Sequence, residues 1–134
     1  MATLKDEKGQ NLVEFALVVP LLLVLVFGIA EYGRAWMTRN ILTGAAREAV
    51  RVAAVSDAGI AAGITRANAV LASAEIPVGG PNGAVVSVTP ASVAFDPVTV
   101  TVTYNFPLVL VGFIPGLNNP TITLITTTTM RREY

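Results

Sequence analysis

Apolar positions along this chain fall into three successive patterns. Residues Met1–Gly9 (MATLKDEKG) are short, polar and charged, and they read as a leader over 1–9. Between Glu14 and Glu31 lie sixteen uncharged residues, mostly branched or aromatic. With Leu12, Val13 and the stretch out to Trp36, this span approaches the roughly 20 residues that cross a bilayer. Beyond Glu31 the spacing becomes helical. Trp36, Leu42, Ala46, Ala49, Val50 and Ala53 recur at three, four and seven, while Arg39, Arg47, Glu48 and Arg51 tend to the opposite face. One long helix is therefore predicted over 10–55, with about 12–34 spanning a membrane and the remainder amphipathic. From Leu12 to Val55 it would measure about 65 Å at 1.5 Å per residue, twice a bilayer core, so half of it must stand outside the lipid. Pro20 should bend or loosen it. Tyr32 and Trp36 suit an interfacial belt, Arg34 can snorkel there, and Glu31 can pair with Arg34 three residues on.

Ser56 and Asp57 are good N-cap residues for a second helix within 56–76, which Pro77 ends. GGPNG (Gly79–Gly83) marks a turn. The period then changes to two over 84–134. Ala84, Val86 and Val88 alternate with Val85, Ser87 and Thr89. Val98, Val100, Val102, Tyr104 and Phe106 alternate without error with Thr99, Thr101, Thr103 and Asn105. Thr121–Met130 gives a third strand with Ile122 and Leu124 inward, and the doubled Leu124-Ile125 suggests a bulge. Three strands with one apolar face need a cover, which the two helices can supply. The expected fold class is α+β. The loop over 108–114 (LVLVGFI) is unusually apolar and should meet a partner subunit, the bilayer or the domain itself.

Composition sharpens this picture. Hydrophobic residues make up 53% of the chain and charged residues 13%, and the excess lies mainly in Phe15–Ala30. Nine basic and nine acidic residues cancel, which removes the electrostatic case for a nucleic-acid partner. There is no cysteine and no histidine, hence no thiolate site and no imidazole base or ligand. Both lysines, Lys5 and Lys8, precede the folded part. Asp57, Glu75 and Asp96 are isolated and sit in cap or turn contexts, so no metal site, cofactor or catalytic carboxylate pair is expected, and a structural protein rather than an enzyme is. Gly59 and Gly63 are best read as tight packing of a surface helix. Arg47, Glu48 and Arg51 form a solvated face.

One constellation points to function. Gly9 closes the leader, Gln10 follows, and Glu14 opens an apolar helix with Phe15 beside it. A charge at the centre of a membrane helix costs about 2.5–3.5 kcal/mol, so Glu14 calls for a compensating partner. Cleavage after Gly9 would give Gln10 a free cationic amine, which Glu14 of a neighbouring parallel helix can neutralise; such a pair fixes register where apolar packing slides. The same carboxylate also suits a helix N-terminus lying among headgroups.

These residues resemble the TadE-like pseudopilins of the tight-adherence (Tad) system. The similarity runs through GQNLVEFALVVPLLLVLVFGIAEYGRA and NILTGAAREAVRVAAV, and resumes in PVTVTVTYNFPL and TITLITTTTMRRE. The resemblance implies that Gly9-Gln10 is a prepilin-peptidase cleavage site, that Glu14 is the assembly carboxylate with Phe15 (Phe here rather than Tyr) as its adjacent aromatic, and that the chain is a single-pass inner-membrane protein with an exported C-terminal domain. Implied partners are membrane lipid, other pilin or pseudopilin subunits, the prepilin peptidase and the Tad inner-membrane assembly platform of an adhesive pilus. The basic residues flanking the span, Lys5 and Lys8 against Arg34 and Arg39, give no clear topological preference. An alternative remains open: Gly28-Ile29-Ala30 is a small-x-small sequence, so the apolar run could be a secretory signal removed near Ala30 to release a soluble binding domain.

Overall fold

The computed structural model describes residues 4–55, 59–89, 96–110, 112 and 120–132, with side chains from Gly9 onward. Helix α1 (Leu4–Val55) is followed by α2 (Gly59–Ser73) and by strands β1 (Val85–Thr89), β2 (Pro97–Pro107) and β3 (Thr121–Arg131). The fold is α+β, as the change of period requires. At 52 residues, α1 is about 78 Å long. It starts upstream of the expected residue 10, taking in residues 4–9, and it continues as helix through Pro20.

The strands form an antiparallel sheet in the order β1-β2-β3. Strict alternation in β2 places Val98, Val100, Val102, Tyr104 and Phe106 on the buried face. Against them pack Leu42, Ala45, Ala46, Ala49 and Ala53 of α1, and Ala67 and Leu71 of α2. So many alanines let helix and sheet backbones approach closely. Trp36 departs from the stripe to which its spacing assigns it: it is 54% exposed and stacks on Tyr32 with ring centroids 6.2 Å apart.

Strand β3 corrects two expectations. Its pairing with β2 is continuous, Tyr104↔Leu124 followed by Thr103↔Ile125, so there is no bulge: Leu124 faces the core side and Ile125 the opposite side. Ile122 shares Leu124's face but is 46% exposed, because it lies near the end of an edge strand. Between Leu124 and Met130 the inward positions are Thr126 and Thr128, and the Thr126 hydroxyl meets that of Thr43 on α1 at 3.1 Å. On the outer face, hydroxyl pairs Thr99–Thr129 and Thr101–Thr127 tie β2 to β3 at 3.0 and 3.2 Å.

Helix α2 lies on α1 through a seam of small residues. A Cβ added at Gly63 would come within 2.9 Å of the Ala53 Cβ and 3.0 Å of the Ala49 carbonyl oxygen. Gly59 has a different task, since it opens α2 with φ +45° and open space around it. The two glycines are thus kept for separate reasons, and the packing expectation holds for Gly63. At its other end α2 finishes before Pro77. The Ile76 N–H donates to the Leu71 carbonyl at 3.0 Å and that of Glu75 to the Ala72 carbonyl at 3.1 Å, with Glu75 at φ +57°. This is a Schellman termination with a glutamate where glycine is usual. Ser56 and Asp57 lie outside the described residues. The polar sides of the helices meet at Glu48, which accepts from Arg51 at 3.0 Å and lies 3.5 Å from Arg66. The Arg51 hydrogen bond and charge, helped by Arg66, hold its carboxyl below the ordinary carboxylate value.

Candidate anchoring helix and its junction with the domain

From residue 9 to residue 30 every side chain on α1 is exposed except Val19, which is half-buried. None of the most apolar window is covered by the rest of the molecule. The domain thus leaves bare the surface that would cost most in water. Phe15–Ala30 contains twelve Leu, Ile, Phe or Val residues. At about 0.3–0.6 kcal/mol each on insertion scales these favour the bilayer by about 4–7 kcal/mol, which exceeds the cost of Glu14 even at the centre, about 2.5–3.5 kcal/mol. Glu14 sits at the edge of the run, where the cost is smaller. The helix is long and apolar enough to cross a membrane, and it fits a single-pass anchor.

Gly9, Gln10, Glu14 and Phe15 all lie on this bare stretch. Gly9, Val13 and Leu17 fall along one side with Gln10 and Glu14 next to them. Glu14 has no hydrogen-bond or ion-pair partner among the described residues. An added Cβ at Gly9 would meet nothing within 4 Å, so packing inside the subunit does not require glycine there.

The covered part of the helix begins abruptly at Glu31, which is 4% exposed. Its carboxylate is fully engaged: Oε1 accepts from the Leu110 N–H at 2.6 Å and Oε2 from Arg34 Nη1 at 2.7 Å. Arg34, expected to snorkel, instead turns to the domain, its guanidinium carbon 5.1 Å from the centre of the Phe106 ring. The Glu31–Arg34 pairing expected from their spacing is present. Sequence reasoning missed the third member, because the Leu110 amide is 79 residues away and a backbone donor leaves no side-chain signature.

Two contacts set the direction of the sheet. Arg34 is level with Phe106, whose partner is Ile122, and Thr43 is level with Thr126. Nine residues of helix rise about 13.5 Å, and four residues of antiparallel strand rise about 13.6 Å. So β3 runs alongside α1 in the same direction, and the β2–β3 connection lies at the end of the domain nearest the apolar run. Leu108 there packs against the core, while Val109 is 52% exposed; residues 111, 113 and 114 of the apolar loop lie outside the described residues. A cleft of about 590 Å³ opens at the same end among Pro77, Tyr104, Pro107, Leu108 and Pro120. Its described lining carries no carboxylate or ammonium group.

The molecule is thus an α+β domain carried on a long, bare, apolar N-terminal helix. Residues 9–51, which contain that helix's apolar run, the Glu31 junction and most of the covered segment, match the family model for TadE-like protein. The resemblance read from the sequence is therefore shown over these residues. No curated protein and no solved structure matches the chain.

Proposed function

We propose that this chain is a membrane-anchored, pilin-like structural subunit that takes part in assembling a Tad-type adhesive pilus. The observation that carries the reading is the bare apolar helix: its surface must be covered from outside the chain, by lipid before assembly and by sister helices afterwards. The TadE-like match over that same helix supports a pilus-associated, structural role.

In this reading the prepilin peptidase cuts between Gly9 and Gln10, and the domain is on the exported side of the inner membrane. The new α-amino group of Gln10, with an ordinary pKa of about 7.7–8.0, is largely cationic at neutral pH. It is neutralised by Glu14 of the adjacent subunit, with Phe15 packed beside the pair. Two features favour this. Among the described residues Glu14 is a carboxylate without a partner in its own subunit, and Gly9 is a glycine that packing against them does not require. The assembly platform and other pilins are then the protein partners.

N-terminal sequencing of the mature chain is the deciding measurement. A start at Gln10 is expected. A start at Glu31 would instead support secretion of a soluble domain, and would place the clamp carboxylate on the first residue, severed from the helix that orients it.

A further inference from the structure

We propose that the segment Leu108–Leu110 is a second, peripheral membrane contact: an uncharged patch that rests the domain on the surface of the bilayer its helix crosses. The proposal rests on the membrane-anchor reading of α1 and adds a lipid-facing surface on the sheet domain.

Three observations place the segment there. First, the Leu110 N–H is held by Glu31, the residue immediately after the apolar run Phe15–Ala30. Helical side chains lean toward the N-terminal turn, so the clamp pulls the loop toward the lipid end of the helix rather than away from it. Second, the parallel course of β3 and α1 puts the β2–β3 connection at the lipid-proximal end of the domain, and Val109, 52% exposed, projects from it between half-buried Leu108 and Leu110. Third, the segment itself is uncharged and the carboxylate that holds it is neutralised. The Glu31 carboxylate is bound by Arg34 and by the Leu110 amide, and no charged residue occurs between Pro107 and Pro120. A bare charge would hold this end of the domain in water; a neutralised one does not. Exposed Tyr32 and Trp36, stacked on the same part of the helix, are residues that favour the headgroup level.

The occupant is therefore the boundary between headgroups and acyl chains. Before assembly, while lipid surrounds the adjoining apolar helix, a second copy of the chain would have to reach this patch past that lipid. Because the patch is uncharged, the contact needs no anionic lipid.

The absence of native cysteine makes the test direct. Full-length Leu22→Cys, Val109→Cys and Ser87→Cys variants, each carrying an environment-sensitive fluorophore, are reconstituted in phosphatidylcholine vesicles with nitroxide-labelled acyl chains. Quenching at position 109 is expected to reach at least half that at 22 and to exceed that at 87, on the outer face of β1, several-fold. It should not change when an anionic phospholipid is added. Quenching at 22 with 109 no different from 87 would overturn the membrane contact while leaving the anchor intact. No quenching at 22 would overturn the anchor reading, and this proposal with it. Equal quenching at all three positions, or dependence of the signal at 109 on anionic lipid, would show non-specific or electrostatic adsorption and would equally overturn it.

Discussion

Glu31 and Glu75 are two acidic residues whose roles are set by the backbone. For Glu31, the decisive bond is the one to the Leu110 amide: a hydrogen bond to a charged group contributes about 1.5–3 kcal/mol. The ion pair with half-exposed Arg34 adds at most about 1 kcal/mol. Glu31→Ala should thus destabilise the domain by about 2–3 kcal/mol, whereas Glu31→Gln, which keeps an acceptor oxygen, should cost only about 1 kcal/mol. Denaturant unfolding of the detergent-solubilised chain measures both, and equal losses would show that charge, not acceptance, matters. For Glu75, the left-handed conformation at φ +57° penalises a Cβ-bearing residue by about 1–2 kcal/mol. Glycine at that position gives up about 0.5–1 kcal/mol in chain entropy. Glu75→Gly should therefore stabilise, raising Tm by about 2–6 °C; Glu75→Ala, which keeps the Cβ, should not. The sequence placed Glu75 in a cap or turn context, as found, but showed neither its left-handed backbone nor the third member of the Glu31 clamp. The Glu31–Arg34 spacing was visible, but a contact to a distant amide and a helix ended by a left-handed glutamate both depend on three-dimensional arrangement.

Among the elements, legibility followed chemistry. Strand β2 could be read residue by residue because each inward position is apolar and each outward one between its terminal prolines is polar. Strand β3 could not, because threonine serves on both faces: Thr126 points to the helix and Thr127 to the outer ladder, and alternation of one residue type with itself carries no signal. The inferred bulge came from two adjacent apolar residues, one of which, Ile125, simply faces outward. The α1–α2 seam was half legible. A glycine pair suggested close packing, and Gly63 provides it while Gly59 supplies an uncommon φ. The seam leads to a test in which two substitutions interact. Gly63→Ala should destabilise by about 1–3 kcal/mol through overpacking, despite alanine's better helix propensity. Adding Ala53→Gly should recover part of that loss, since it removes the Cβ at 2.9 Å but not the carbonyl at 3.0 Å. Strict additivity in the double-mutant cycle would show that the two residues do not press on one another.

At the scale of the whole molecule, the long apolar helix and its soluble cover were plain from hydropathy alone, since no fold of this size can bury that run. The place where bare helix becomes covered helix was not, because it is set by the Glu31 clamp. The proposed assembly role belongs to this scale. Glu14→Ala should leave the protein in the membrane fraction, where losing a charge only eases insertion, yet exclude it from sheared pili. Normal incorporation of that variant would refute the register role of the carboxylate. The side-by-side course of α1 and β3 has a mechanical meaning as well. Tension applied between the N-terminal end of the helix and the far end of β3 would act along the shared axis of both elements. It would load their contacts in shear, all at once, instead of peeling them apart one by one.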